Sequence, residues 1–121
     1  MRALTIKQPW AGAIFERGKD VENRSWATSY RGPLIIHAGA RYDNAATVRM
    51  GVSSVWDTSA IIGIVELVDC VRTRRGKWAD ADAWHWVLKN PQVLTRSVPA
   101  SGRLGLWTPS PSMLRLVKRR L

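Results

Sequence analysis

The chain has 121 residues, 45% hydrophobic and 23% charged, which is long enough for one folded domain with a core and too short for two. Nineteen lysines and arginines against nine aspartates and glutamates give a formal net charge of +10, an excess that favours nucleic acid, an anionic membrane surface or a heparin-like polymer as partner. Because no apolar run approaches the roughly 18 residues of a membrane span, and none resembles a signal peptide, we expect a cytoplasmic protein with no membrane segment.

The first elements predicted along the chain are a strand and a short helix. Apolar and polar residues alternate over residues 4–7, which is typical of a half-buried strand. Pro9 suits the first turn of a helix, and an apolar stripe predicts that this helix covers residues 9–17. The free N–H groups at its start, beside Lys7 and Gln8, form a candidate phosphate site.

A polar stretch over residues 18–26 follows the helix and carries most of the functional interpretation. It begins with a glycine suited to end the helix, and an extended segment then places Glu22, Arg24 and Trp26 on one face. Arg24 can grip a phosphate or base edge, Trp26 can stack on a base, and Glu22 can accept from an exocyclic amine. Lys19, Glu22 and Arg24 fit a surface ion-pair ladder equally well, and the composition leaves both alternatives open.

The middle of the chain is predicted to hold a buried strand, a helix and a long strand. Residues 34–38 are apolar except for His37, which fits a buried core histidine better than a catalytic base. A helical pattern covers residues 42–50, and a loop is expected over residues 52–59. Residues 60–71 give the longest strand pattern of the chain.

Three side chains of this middle region suggest chemistry. Arg31 precedes a glycine that lets a ligand approach the backbone, so it is a candidate ligand contact. Glu66 lies among apolar residues, where it needs a cation such as Lys19, Arg24 or Arg31 unless the strand reaches water there. Cys70 is the single cysteine, which excludes an internal disulfide and, with two histidines, argues against a zinc site; we expect no metal and no cofactor.

The last third of the chain is predicted to contain a basic loop, two short strands and a helix. Residues 72–77 suit phosphate contacts and equally suit a solvated loop. One strand over residues 84–89 ends before Pro91, and after a loop a second strand covers residues 103–107. Residues 111–121 predict a docked helix with a basic exterior, which offers either phosphate contacts or a surface for a protein partner.

Elements in this order indicate an α+β fold, with five or six short strands in a small curled sheet or barrel and flanking helices. The segments LTIKQPWA at residues 4–11, GKDVENRSW at 18–26, YRGPLIIHA at 30–38 and GRLGLW at 102–107 together resemble the ASCH domain family. The resemblance covers nearly all of the chain up to residue 107 and implies a PUA-like β-barrel. Lys19, Glu22 and Arg24 match the family signature Gly-x-Lys-x-x-Glu-x-Arg, whereas Gly18 lies one residue closer to the lysine than that pattern requires.

The resemblance implies a cleft beside the barrel that handles RNA or another nucleic acid, so RNA or DNA is the expected partner. The candidate ligand-binding residues are Lys7, Gln8, Trp10, Lys19, Glu22, Asn23, Arg24, Trp26, Arg31 and Arg103. Weaker contacts to phosphate are expected from the basic loop and the tail, at Arg72, Arg74, Arg75, Lys77, Arg115, Lys118 and Arg119.

Two enzymatic branches of the ASCH family leave a second hypothesis open. Some members are ribonucleases, and an amidohydrolase branch acts on acetylated cytidine with a threonine where this chain has Glu22. That expected nucleophile is absent, which makes an amidohydrolase the less favoured alternative. In an enzyme, the candidate catalytic residues are Lys19, Glu22, Glu66 and His37.

Overall fold

The computed structural model describes residues 1–52 and 56–121. Its elements are β1 (Arg2–Gln8), α1 (Trp10–Glu16), β2 (Val21–Arg24), β3 (Gly32–Tyr42), α2 (Asn44–Arg49), β4 (Ala60–Val71), β5 (Trp84–Pro99), β6 (Leu106–Trp107) and α3 (Pro111–Arg119). The strands form one curled half-barrel sheet in the order β2-β5-β4-β3-β1-β6, flanked by the three helices of the described residues. β1 and β3 run parallel, and every other neighbouring pair is antiparallel. The predicted α+β, barrel-like fold is confirmed.

Side chains of the central strand β3 alternate between two apolar clusters, one on each face of the sheet. Leu34 and Ile36 belong to the cluster that α1 covers through Ile14. Ile35 belongs to the cluster that α3 covers through Val117. Because successive strand side chains point to opposite faces, α1 and α3 lie on opposite sides of the sheet.

The strand predicted over residues 84–89 was expected to end before Pro91, and this prediction is wrong. β5 passes through Asn90 and Pro91 and continues to Pro99, which includes most of the residues expected to form a loop. Asn90 adopts a positive φ of 51°, and the pairing of β4 with β5 shifts register between Ile64 and Glu66. A bulge of this kind accommodates a residue such as proline that cannot donate to the ladder, so the strand bends and goes on.

The other elements agree with prediction in kind and differ in extent. The strand expected over residues 34–38 is the longer β3, and the last strand is only the two residues of β6. Part of the loop predicted over residues 52–59 lies outside the described residues, at positions 53–55. Among the helices of the described residues, none has the length and apolar character needed to cross a bilayer.

Candidate nucleic-acid interface

Lys19 is buried directly after the end of α1. Gly18 takes the left-handed conformation, with φ +67°, as expected for the residue that ends a helix. The chain turns there, and the Lys19 side chain is 2% exposed. Its ammonium donates to the carbonyl of Val21 and, at 2.8 Å, to Oε1 of Glu22. Lys19 therefore anchors the start of β2 from inside the protein.

Glu22 lies between two cations. Its Oε1 faces Lys19, and its Oε2 accepts from Nε of Arg24 at 3.1 Å, while its side chain is 9% exposed. Arg24 also donates from Nη2 to the carbonyl of Thr5 at 2.8 Å, which links β2 to β1 across the open side of the curled sheet. The three signature residues thus form a largely buried network and not a surface ladder, so the loss of one partner would leave an uncompensated charge inside the protein.

Two neighbouring clefts open beside this network. The first cleft has a volume of about 660 Å³ and is lined by Trp10, Arg17, Lys19, Glu22, Asn23, Asp43, Arg49, Met50, Lys77, Trp78 and Asp80. The second cleft, of about 520 Å³, is lined by Thr5, Ile6, Lys7, Trp10, Glu22, Asn23, Arg24, Gly39, Ala40 and Arg41. Both clefts share Trp10, Glu22 and Asn23, so they meet over the buried network. Their combined lining holds seven lysines and arginines but only three acids.

One wall of the first cleft is a loop that two side chains of the sheet hold in place. Asn23 donates to the carbonyl of Trp78 at 2.9 Å and accepts from the backbone N–H of Asp80 at 3.0 Å. His85 is buried, with Nδ1 accepting from the N–H of Arg74 and Nε2 2.6 Å from the carbonyl of Asp80. These bonds fix the backbone that carries the cleft residue Trp78.

Asp43 supports the opposite wall. Its carboxylate accepts from the N–H of Ala46, which caps α2, and from Nε1 of Trp10 at 3.3 Å. Because the ionised carboxylate accepts the N–H of Ala46, the pKa of Asp43 is lowered from its ordinary value of 3.8. Asp43 therefore orients the indole of Trp10 and adds a negative charge to a cleft that is otherwise rich in cations.

We expect Asp43→Asn to change the pH dependence of folding and strengthen anion binding. A carboxyl whose pKa is lowered in the folded state stabilises the protein above pH 3.8, and this contribution disappears as the pH falls through the folded-state pKa. Asparagine caps helices about as well as aspartate. The variant should thus lose part of the acid sensitivity of its urea midpoint and bind a labelled oligonucleotide more tightly at neutral pH. Weaker binding would contradict the placement of Asp43 in the cleft.

Several residues predicted for the site do line the two clefts: Lys7, Trp10, Lys19, Glu22, Asn23, Arg24 and Lys77. Gln8 requires a correction, because it is fully buried. Its amide accepts from the N–H of Gly12 and donates to the carbonyl of Asp57, both at 2.8 Å. Gln8 thereby takes up one of the free N–H groups that suggested a phosphate site at the start of α1, and it offers no surface to a ligand.

Three other predicted ligand contacts lie outside these clefts. Trp26, two residues beyond the end of β2, packs edge-to-face on Trp86, with ring centroids 4.8 Å apart. Arg31 precedes β3, at the end opposite the second cleft, and lies 3.8 Å from Asp69. Arg103 is exposed in the segment before β6.

Of the four candidate catalytic residues, Lys19 and Glu22 are in contact, whereas His37 and Glu66 lie elsewhere. His37 is buried on the α3 side of the sheet, against Trp107, with Nε2 2.7 Å from the carbonyl of Ala100. This burial lowers the pKa of His37, so the histidine is neutral near pH 7. Glu66 is exposed, so the alternative in which its strand reaches water is confirmed, and none of the ion pairs of the described residues includes it.

The basic loop and the tail occupy different parts of the surface. Arg72 stacks over Trp84, and Arg74 lies 3.6 Å from Asp20, whereas Lys77 lies over the ring of Trp78 and lines the first cleft. Arg75 is exposed. The tail cations Arg115, Lys118 and Arg119 are exposed on α3, on the other side of the sheet.

Sequence reasoning missed the cleft residues Arg17, Arg41, Asp43, Arg49, Trp78 and Asp80. Arg49 is basic and in the last turn of the predicted second helix, but nothing local indicates that this helix and α1 line the same cleft. For Trp78, its position directly after the basic loop of residues 72–77 could have suggested a ligand contact. No cluster of histidine, cysteine and acidic residues suited to a metal occurs within residues 1–52 and 56–121.

Comparison with known proteins agrees with this architecture. Activating signal cointegrator 1 of Homo sapiens is 28% identical over 124 residues, covering 86% of this chain and 21% of the relative. The same-named protein of Mus musculus is 27% identical over the same share of each chain. The chain thus spans about a fifth of the length of these relatives. The ASCH domain matches residues 4–95, well over half of the sequence, so this chain belongs to the ASCH domain family.

Proposed function

We propose that this protein binds single-stranded RNA or DNA, with one nucleotide in the first cleft and the adjoining backbone along the second. The observation that carries the proposal is the pairing of two tryptophans, Trp10 and Trp78, with a cationic rim in a cleft of about 660 Å³. Aromatic rings stack on unpaired bases of any sequence, and cations beside them hold the phosphates. A paired duplex does not present its base faces to such rings, so the clefts favour single strands.

The charges of the two clefts divide into a structural and a ligand-directed set. Lys19 and Arg24 are occupied by Glu22 and by backbone carbonyls. The exposed cations of the cleft linings are directed to the ligand: Lys7, Arg17, Arg41, Arg49 and Lys77. Two of them also have a contact within the protein, since Arg17 donates to the carbonyl of Met50 and Lys77 lies over Trp78. If these five contact a single strand, log K should fall with log salt at a slope of about −3 to −4.

The acidic residues of the site have roles that differ from the role the sequence suggested for Glu22. Both oxygens of Glu22 already accept from the neighbouring cations, so this carboxylate serves mainly to keep Lys19 and Arg24 in place. Asp80, whose backbone is fixed by Asn23 and His85, brings a carboxylate to the first cleft. A carboxylate there can accept from the exocyclic amine of a bound base.

Catalysis is the weaker candidate for this site. Lys19 is held as an ammonium in the ion pair with Glu22, and an ammonium has no lone pair with which to act as a base. His37 and Glu66, the other candidate acid–base residues, line neither cleft. The ASCH family resemblance, which implies nucleic-acid handling, supports the binding function without requiring turnover.

We expect Trp10→Ala to weaken binding of a labelled single-stranded oligonucleotide about 5- to 150-fold, because one stacked base is worth about 1–3 kcal/mol. The affinity of Trp10→Phe should lie between those of Trp10→Ala and wild type, since phenylalanine can stack but cannot donate to Asp43. Trp84→Ala is the matched control, because Trp84 is half-buried and lines neither cleft. Fluorescence anisotropy over a salt series measures both affinity and slope. Equal losses in the Trp10 and Trp84 variants, or a flat salt response, would refute the proposal.

A further inference from the structure

The outward face of α3 is a cationic surface built on a firmly docked helix. Arg115, Lys118 and Arg119 are exposed and stand three and four residues apart, so they share one face. Ser110 caps the N-terminus of the helix by accepting from the N–H of Met113, and Val117 is buried in the core cluster below. The cations therefore project from a fixed backbone.

The C-terminal end of α3 is held by the sheet as well. Arg120 donates from Nη1 to the carbonyl of Ser97 at 2.6 Å, and its own carbonyl accepts from the N–H of Thr95 at 2.7 Å. These two bonds join the helix end to β5. The surface is consequently a rigid feature of the fold and differs from a solvated basic tail.

The charge of α3 itself is unbalanced. Residues 83–121, which include the helix, carry seven lysines and arginines and no acid. The carboxylate of Asp57 comes near the end of the helix, where it accepts from Ser97, but it forms no ion pair with any residue that the structure describes. None of the ion pairs in the described part of the chain involves a cation of α3. Like charges three and four residues apart destabilise a helix by about 0.2–0.5 kcal/mol per pair. Two of the cations, Lys118 and Arg119, suit the dipole of the last helical turn, but Arg115 lies too far from that end to share the benefit.

We propose that the outward face of α3 is a second nucleic-acid surface, which binds the phosphate backbone of a duplex independently of the two clefts. A convex helix face with cations and no aromatic side chain contacts phosphates and not base faces, and a duplex presents the densest line of phosphates. A duplex fits this face without being unpaired. The independence of the two surfaces rests on the proposed function of the clefts.

The architecture separates the two surfaces. α1, which contributes Trp10 to both clefts, lies on one face of the sheet, and α3 lies on the other. A helix packed on a sheet adds a layer of about 10 Å on each side. One straight duplex on α3 therefore cannot also enter the clefts, and one protein molecule can hold a duplex and a single strand together.

The test uses the full chain with a short labelled DNA duplex and a labelled single-stranded oligonucleotide. Arg115→Gln, Lys118→Gln and Arg119→Gln combined should weaken duplex binding on the order of 100-fold at low salt, and the slope of log K against log salt should become less steep by about 2 to 3. Binding of the single strand should change little. With saturating duplex present, wild type should still bind the single strand. Glutamine is a good helix former, and circular dichroism verifies that the variant is folded.

Matched single variants separate contact from net charge. Lys118→Gln and Lys89→Gln remove the same charge from exposed lysines, one on α3 and one on β5, and only the former should weaken duplex binding. The double variant Arg115→Lys, Arg119→Lys keeps both positive charges and should therefore bind the duplex about as well as wild type. If Lys118→Gln and Lys89→Gln weaken duplex binding equally, the inference is wrong. It is also wrong if the triple variant binds the duplex as well as wild type does, and an acidic protein would then be the better candidate partner for α3. Equal losses for both probes would also overturn the inference. If Trp10→Ala leaves single-strand binding unchanged, the proposed function fails, while the duplex measurement still reports on α3.

Discussion

Glu22→Gln is expected to lower the free energy of unfolding by about 3–5 kcal/mol, because it leaves a buried ammonium without its counter-charge. Lys19 is 2% exposed and would keep only the carbonyl of Val21 and a neutral amide as acceptors. Arg24 would lose the same carboxylate. Urea unfolding followed by circular dichroism measures the change.

Two comparisons make the Glu22 experiment specific. Glu66→Gln removes an exposed carboxylate and should change stability by less than about 0.5 kcal/mol. Lys19→Met combined with Glu22→Gln should be more stable than Glu22→Gln alone, since the uncompensated charge is gone. A loss below about 1 kcal/mol for Glu22→Gln, the value of a surface ion pair, would show that water already reaches the network.

Trp86→Ala is expected to cost about 3–5 kcal/mol of stability, which is typical of a large aromatic residue removed from a core. Trp86 is fully buried on β5, where it pairs in register with Glu22. It packs edge-to-face on Trp26, and its Nε1 donates to the carbonyl of Trp26 at 3.2 Å. Because residues in register on neighbouring strands share a face, the cavity left by alanine would lie beside Glu22 and the buried network.

Thermal and urea unfolding of three variants test this account of Trp86. Trp84→Ala should cost clearly less, because Trp84 is only half-buried on the same strand. Trp86→Phe should fall between wild type and Trp86→Ala, since it keeps most of the ring but leaves the carbonyl of Trp26 without its donor. Equal losses for Trp84→Ala and Trp86→Ala would mean that the core is not centred on Trp86.

The sequence predicted the neighbourhood of Glu22 and Arg24 because their relation is local. Two residues apart on an extended strand, they share a face, and the 3.1 Å contact confirms it. Trp26 lies two residues beyond β2 and contacts Trp86, the residue that pairs in register with Glu22, but it packs against the core cluster there and lines neither cleft. The local pattern also gave no indication that Lys19 is buried, because burial depends on the packing of α1 against the sheet.

The walls of the first cleft were beyond sequence reasoning for a related reason. Asn23 and Asp80 are 57 residues apart, and the hydrogen bond between them depends on the pairing of β2 with β5. His85 was expected only as a strand residue, although both of its ring nitrogens hold the loop. Local alternation predicts that a segment is a strand, but it does not show which distant strand pairs with it. The elements could therefore be predicted, whereas the contacts between distant elements could not.

The two strands at the ends of the sheet are short, so each pairs with only part of its neighbour: β2 with residues 84–87 of β5, and β6 with Ala3 and Leu4 of β1. β2 has four residues and β6 only two, and Arg24 crosses the open side from β2 to β1. Further along β5 the edge is met by the end of α3 in place of a strand, where the N–H of Thr95 donates to the carbonyl of Arg120. The net charge of +10 makes two copies of the chain repel one another, which disfavours edge-to-edge pairing at the parts of the sheet that stay open.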